Sequence, residues 1–95
     1  MAAAIALPET LDLKAAAPLK AALLERRGAA ITVEADQVRR LGGLCLQVLL
    51  AARKAWDRDG QSFSIKGPSE AFVETTRLFG AEGALLSAEF QGAES

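Results

Sequence analysis

For nucleophilic, redox or soft-metal chemistry this chain offers one thiol, Cys45, and no imidazole at all. Without histidine, the usual zinc and copper ligands, the imidazole general base and the serine or cysteine triad are all excluded. A single cysteine also rules out an internal disulfide. Cys45 stands between Leu44 and Leu46 with no cation beside it to favour a thiolate, so burial as a small hydrophobe is preferred over a redox sensor. Twelve Asp and Glu supply carboxylates, but none joins a Gly-rich phosphate loop, a nucleophile elbow or a DxD-type metal pattern. The parts of an active site are therefore missing, and a non-enzyme without metal or cofactor is expected.

The remaining residues with chemical reach suit binding. Gly42-Gly43, if they open a helix, can cradle an anion on free N–H groups or simply make a tight turn, and the turn reading is preferred. Arg39 and Arg40 just before them can grip an acidic partner or stand solvated. Trp56 lies three helical turns beyond Cys45 on the same face and reads as a cap on the core, not as a ligand platform. Arg26-Arg27 has a sufficient explanation as the cationic end of a helix.

Positioning these residues falls to alternating strands and helices. Ile5 and Leu7 before Pro8, with Leu11 and Leu13 after it, give an edge strand or two short strands broken by the proline. An Ala/Leu-rich helix is predicted over Lys14 to Arg27, with Pro18 in its first turn and Gly28 as its left-handed stop. Ala30 to Val33 is β-branched and apolar, a strand buried on both faces. The polar run Glu34 to Leu41 leads into a second helix, Leu44 to Arg58, closed by Asp59-Gly60. Gln61 to Lys66 alternates as a strand. Ser69 then N-caps a third helix to Phe79, with Phe72, Thr76 and Phe79 on one side. Ala84 to Phe90 forms a last short strand or a loose tail, and residues 91–95 a disordered tail. The expected fold is α/β: a mixed sheet of four or five strands with helices packed on it, one domain over residues 1–90.

Composition narrows the partner. The 95 residues are 51% apolar and 24% charged, enough for one core and too apolar for disorder. A net charge of −1 gives no electrostatic grip on nucleic acid. No apolar run approaches the roughly 20 residues of a bilayer span, so direct membrane insertion is not expected. Met1 to Leu7 lacks a basic flank and runs into Pro8-Glu9, a poor signal peptide; the expectation is a cytoplasmic protein.

Three ordered patterns point to a family. Leu11-Asp12-Leu13 enters the Ala/Leu-rich helix; Ile31-Thr32-Val33-Glu34 precedes Val38 and then Leu41-Gly42-Gly43-Leu44-Cys45-Leu46-Gln47-Val48-Leu49-Leu50; Phe63-Ser64-Ile65 precedes Gly67-Pro68-Ser69 and Leu78-Phe79-Gly80. Over roughly Ile5 to Gly80 the set resembles the STAS domain (sulphate transporter and anti-sigma factor antagonist), and Cys45 to Ala52 is similar to small stand-alone members associated with bacterial chemotaxis clusters. The resemblance implies a non-enzymatic signalling adaptor that docks through the loop before the second helix and that helix itself. Its partner would be a kinase-like anti-sigma factor, a chemotaxis component or, in an accessory-subunit role, the ATPase of a membrane lipid transporter. A homodimer is compatible with this, and a small-molecule binding domain is a further alternative. Phosphorylatable members carry Asp-Ser-Ser/Thr-Gly in that loop, and an ungapped overlay sets Gly42, Gly43, Leu44 and Cys45 there. None of the four can take a phosphate on oxygen, which implies binding without a phosphorylation cycle.

Helical geometry refines the docking surface. At 100° per residue, Cys45, Val48, Leu49, Ala52 and Trp56 share an arc of about 100°, a core-facing stripe. Leu46 and Leu50 lie off its edge. The expected partner-binding set is Arg39, Arg40, Gly42, Gly43, Leu44, Leu46 and Leu50, an apolar patch with a basic rim. The alternative is that a neighbouring helix covers Leu46 and Leu50.

Overall fold

The computed structural model describes residues 3–86. Strand β1 (Ala3–Ala6) ends just before Pro8, and β2 (Thr10–Leu11) begins beyond it. The proline thus breaks two short strands. A 3₁₀ turn, Leu13–Ala15, leads into α1 (Ala16–Leu24); the Asp12 side chain caps that turn by accepting from the Ala15 N–H at 3.1 Å. Pro18 falls in the first turn of α1, where its missing N–H costs nothing. The helix is shorter than predicted because Glu25 to Gly28 form turns, and Gly28 takes φ +97 to leave them.

Next come β3 (Ile31–Glu34), β4 (Arg40–Leu41), α2 (Gly43–Arg58), β5 (Phe63–Lys66), α3 (Glu70–Leu78) and the single turn α4 (Glu82–Leu85). Ser69 caps α3 as its sequence suggests, accepting from the Phe72 N–H at 3.1 Å while its hydroxyl donates to the Val38 carbonyl. Two expectations are corrected. Of the stretch Ala84 to Phe90, expected as a strand or loose tail, Ala84 and Leu85 belong to the helical turn Glu82–Leu85, and the polar run before Gly42 contains β4. The rest of that C-terminal expectation, including the tail at 91–95, lies outside the described residues.

The architecture is α/β, with five strands among the described residues and helices packed on them. Every pairing among the described residues is parallel: β1-β3-β5 form one sheet, and β2 with β4 form a separate two-stranded ladder. Ala3, Ile31 and Phe63 stand in one row across the sheet and Ile5, Val33 and Ile65 in another. In those rows Ile31, Phe63, Val33 and Ile65 are buried, whereas Ala4, Ala6 and Lys66 on the other face are exposed and Thr32, Glu34 and Ser64 half-buried. So β3 is fully buried on one face only, contrary to the reading of its apolar run. One core joins the sheet to α1, α2, α3 and α4, with Trp56, Phe72, Leu49 and Leu85 among its largest buried side chains.

Two polar ties lock the far ends of the helices. The Trp56 indole N–H donates to the Ala29 carbonyl at 2.8 Å, and its ring meets Phe63 edge-on at 5.8 Å. Trp56 is a core cap, as its spacing indicated. Arg27 grips Asp59 through both oxygens, at 2.8 and 3.1 Å, joining the end of α1 to the end of α2. That tie adds to the dipole role read from Arg26-Arg27; Arg26 itself donates to the Ala22 carbonyl at 2.9 Å.

Candidate functional site

The residues around the start of α2 are held by backbone bonds. Glu9 accepts the N–H groups of both Arg39 and Arg40, at 2.7 and 3.0 Å, and the Gly42 N–H donates to the Leu11 carbonyl at 2.8 Å. Gly42 has φ −82 and ψ 161, ordinary extended backbone, so no left-handed turn demands glycine here. Close approach does: a Cβ on Gly42 would stand 3.1 Å from the Leu11 carbonyl oxygen. At Gly43 a Cβ would meet the Phe79 ring at 3.4 Å. The double glycine therefore lets α2 start against β2 and the end of α3. Because the Gly42 N–H is already spent on Leu11, the geometry favours the packing reading over an anion cradle.

Exposure around this helix start is unusual in kind. Among the described residues the large hydrophobics left exposed are Leu13, Leu24, Leu44, Leu78 and Phe79. Two belong to the first turn of α2 or touch it: Leu44 lies in it and the Phe79 ring stands at Gly43; Leu78 is the chain neighbour of Phe79, and Leu13 that of Asp12, whose carbonyl accepts from the Cys45 Sγ at 3.2 Å. Leu78 is 78% exposed and Leu13 75%. Cations border the patch. Arg39 lies 4.0 Å from Glu9, Arg77 3.5 Å from Glu82, and Arg40 has no ion-pair partner among the described residues.

Of the residues expected to dock a partner, Arg39, Arg40, Gly42, Gly43 and Leu44 come together here. Leu50 sits further along α2, half-buried and packed against the core. Leu46 is a correction: it is 1% exposed and belongs to the core. Helix α4 packs against α2, and the buried arc of α2 widens to about 120°, from Ala52 round to Leu46. Val48, placed in the core stripe by its spacing, is half-buried instead. Phe79, expected beside Phe72 and Thr76, turns outward because the helix ends at Leu78 and Phe79 is its cap, with φ −93 and ψ 6. Leu13, Leu78 and Phe79 are thus the site residues sequence reasoning missed; their only signal was an apolar residue next to a helix end.

Cys45 is fully buried. Desolvation first, and the Asp12 carboxylate second, push its thiol pKa up, against any thiolate role. No group of three or more metal-ligating side chains occurs among the described residues, and no described helix is long and apolar enough to cross a membrane. A groove of about 260 Å³ runs between α1 and α2, lined by Leu24, Val48, Ala51 and Trp56 with Lys20 and Arg27 at its rim. It is open, and Arg27 is already engaged by Asp59, so it lacks the convergent polar groups of a small-molecule site.

The sequence matches the family described as Mlab, STAS domain, over residues 1–87. With most of the chain covered, and with parallel strands and helices arranged as that resemblance implied, the protein belongs to the STAS family. Such domains generally serve protein interaction and are generally not enzymes. No curated protein matches the chain significantly.

Proposed function

We propose that this STAS domain is a cytoplasmic adaptor that docks another protein through the patch at the start of α2, without a phosphorylation switch. The observation that carries the reading is the exposure of Leu44 in the first turn of α2 and of Phe79 beside Gly43, at the loop where the family resemblance puts the docking surface. An apolar centre rimmed by Arg39, Arg40 and Arg77 fits a partner that presents an apolar knob among acidic side chains. The loop from Arg39 to Leu46 contains no hydroxyl residue, so association depends on partner concentration and not on a phosphate. A kinase-like anti-sigma factor, a chemotaxis component and a transporter ATPase are the partner classes in play; the genes adjoining this one separate them.

The test is affinity purification from native cells with wild-type bait and with a Leu44→Asp/Phe79→Asp bait. Both side chains are about half or more exposed, so the variant should melt like wild type while losing the partner by at least tenfold. A folded variant that retains the same partner undiminished would sink the reading.

A further inference from the structure

The two edges of the three-stranded sheet are treated differently. At the β5 edge, the carbonyls of Ser62 and Lys66 accept from Ile31 and Ala35, at 2.9 and 3.0 Å, so the alternate residues Phe63 and Ile65 turn their backbone groups outward. Arg53 covers that edge: its Nη1 donates to the Phe63 carbonyl at 3.0 Å. At the β1 edge, the Ala3 N–H donates to Ala30 at 2.8 Å and the Leu7 N–H to Glu34 at 2.9 Å. Ile5 shares their side by the same alternation, which turns the N–H and C=O of Ala4 and Ala6 outward. Among the described residues no side chain bonds to those four groups. Among the described residues neither a charge nor a bulge guards the edge, although exposed strands commonly carry such protection. Pro8 ends the run of donors.

Beside this edge lies an apolar hollow of about 330 Å³ between β1 and α1, lined by Ile5, Leu7, Ala15, Pro18, Leu19 and Ala22 among others, with no charged residue in its wall.

We propose that the β1 edge and this hollow form a self-association surface, where a second copy of the chain adds its own β1 antiparallel to this one. The edge is complementary to itself. A two-fold axis through Ile5 sets Ala4 opposite the partner's Ala6 and Ala6 opposite the partner's Ala4. Both are hydrogen-bonded pairs, so all four outward groups on each strand are satisfied. Ile5 then meets the partner's Ile5 at the closely spaced, non-bonded position, on the face of the sheet where the hollow opens. The uncharged walls let two identical surfaces meet without like-charge repulsion; the α1–α2 groove, rimmed by Lys20 and Arg27, would bring cations together. Two three-stranded sheets become one of six strands, leaving the patch at the start of α2 available for a different partner. This surface is independent of the docking reading.

Sedimentation equilibrium of the full chain over roughly 10 to 500 µM should show the mass climbing toward twice the 10.0 kDa of one chain, as a short interface implies. Amide exchange at Ala4 and Ala6 should slow as concentration rises. Ala4→Lys/Ala6→Lys and Ala4→Glu/Ala6→Glu variants, whose new side chains leave from the exposed face, should each be folded and monomeric; mixed together they should restore the dimer. A wild type that stays monomeric throughout, with unchanged exchange at those amides, overturns the proposal, as does a Lys/Lys variant that dimerises like wild type.

Discussion

Gly42 and Gly43 adjoin in sequence yet answer to different constraints. A methyl on Gly42 presses on the backbone carbonyl of Leu11 at 3.1 Å, and backbone cannot swing aside as a side chain does. Gly42→Ala should cost about 1–3 kcal/mol in urea unfolding, the usual range for forced overpacking. Gly43→Ala meets only the edge of the Phe79 ring and gains helix propensity of up to about 1 kcal/mol, so it should be neutral or stabilising. The Arg27–Asp59 pair supplies a second residue-scale prediction. The bidentate bond and charge of Arg27, helped by Arg58, hold the Asp59 pKa below its ordinary value. A carboxylate depressed in the folded state contributes stability that is fully present above its unfolded pKa and is lost as pH falls through the folded one. The stability gap between wild type and Asp59→Asn should therefore be constant near neutrality and close below about pH 4, the ordinary carboxylate range. Melting curves at pH 7 and pH 3 measure it; an unchanged gap would show that the pair holds nothing.

The elements explain why one helical wheel read α2 well on one side and poorly on the other. Periodicity marks Cys45, Leu49, Ala52 and Trp56 as core because the sheet is the largest apolar surface the helix can meet, and these four are buried. It cannot announce that α4, distant in sequence, packs on the same helix, or that Leu46 joins the core cluster. Truncation separates the two leucines. Leu46→Ala empties a fully buried site and should cost about 2–5 kcal/mol, while Leu50→Ala, half-covered, should cost roughly 1 kcal/mol. Chemical denaturation of both variants checks this, and equal costs would contradict the burial seen here. The short ladder of β2 and β4 was missed for a related reason: two residues are too few for alternation to show, and what holds them is pairing across 30 positions, Thr10 with Arg40 and Leu11 with Leu41.

For the molecule as a whole, absence of a hydroxyl in the Arg39 to Leu46 loop and burial of Cys45 predict that the loop is not a phosphate acceptor. Incubation with a cognate anti-sigma kinase and ATP should leave the intact mass unchanged, and a phosphate mapped to that loop would defeat the overlay. Local signals were enough for the α/β class, the core stripe of α2, the Ser69 cap, the break at Pro8 and the neighbourhood of the docking loop. Each depends on residues within a few positions of one another, where sterics and hydrogen bonding act through the chain itself. Tertiary structure alone decided that Leu46 is core, that Phe79 covers Gly43 instead of lining its own helix, and that Arg53 caps one sheet edge while no described side chain bonds to the other. These are outcomes of which surfaces meet. Burial belongs to the pair of surfaces in contact, and a sequence carries only one member of that pair at a time.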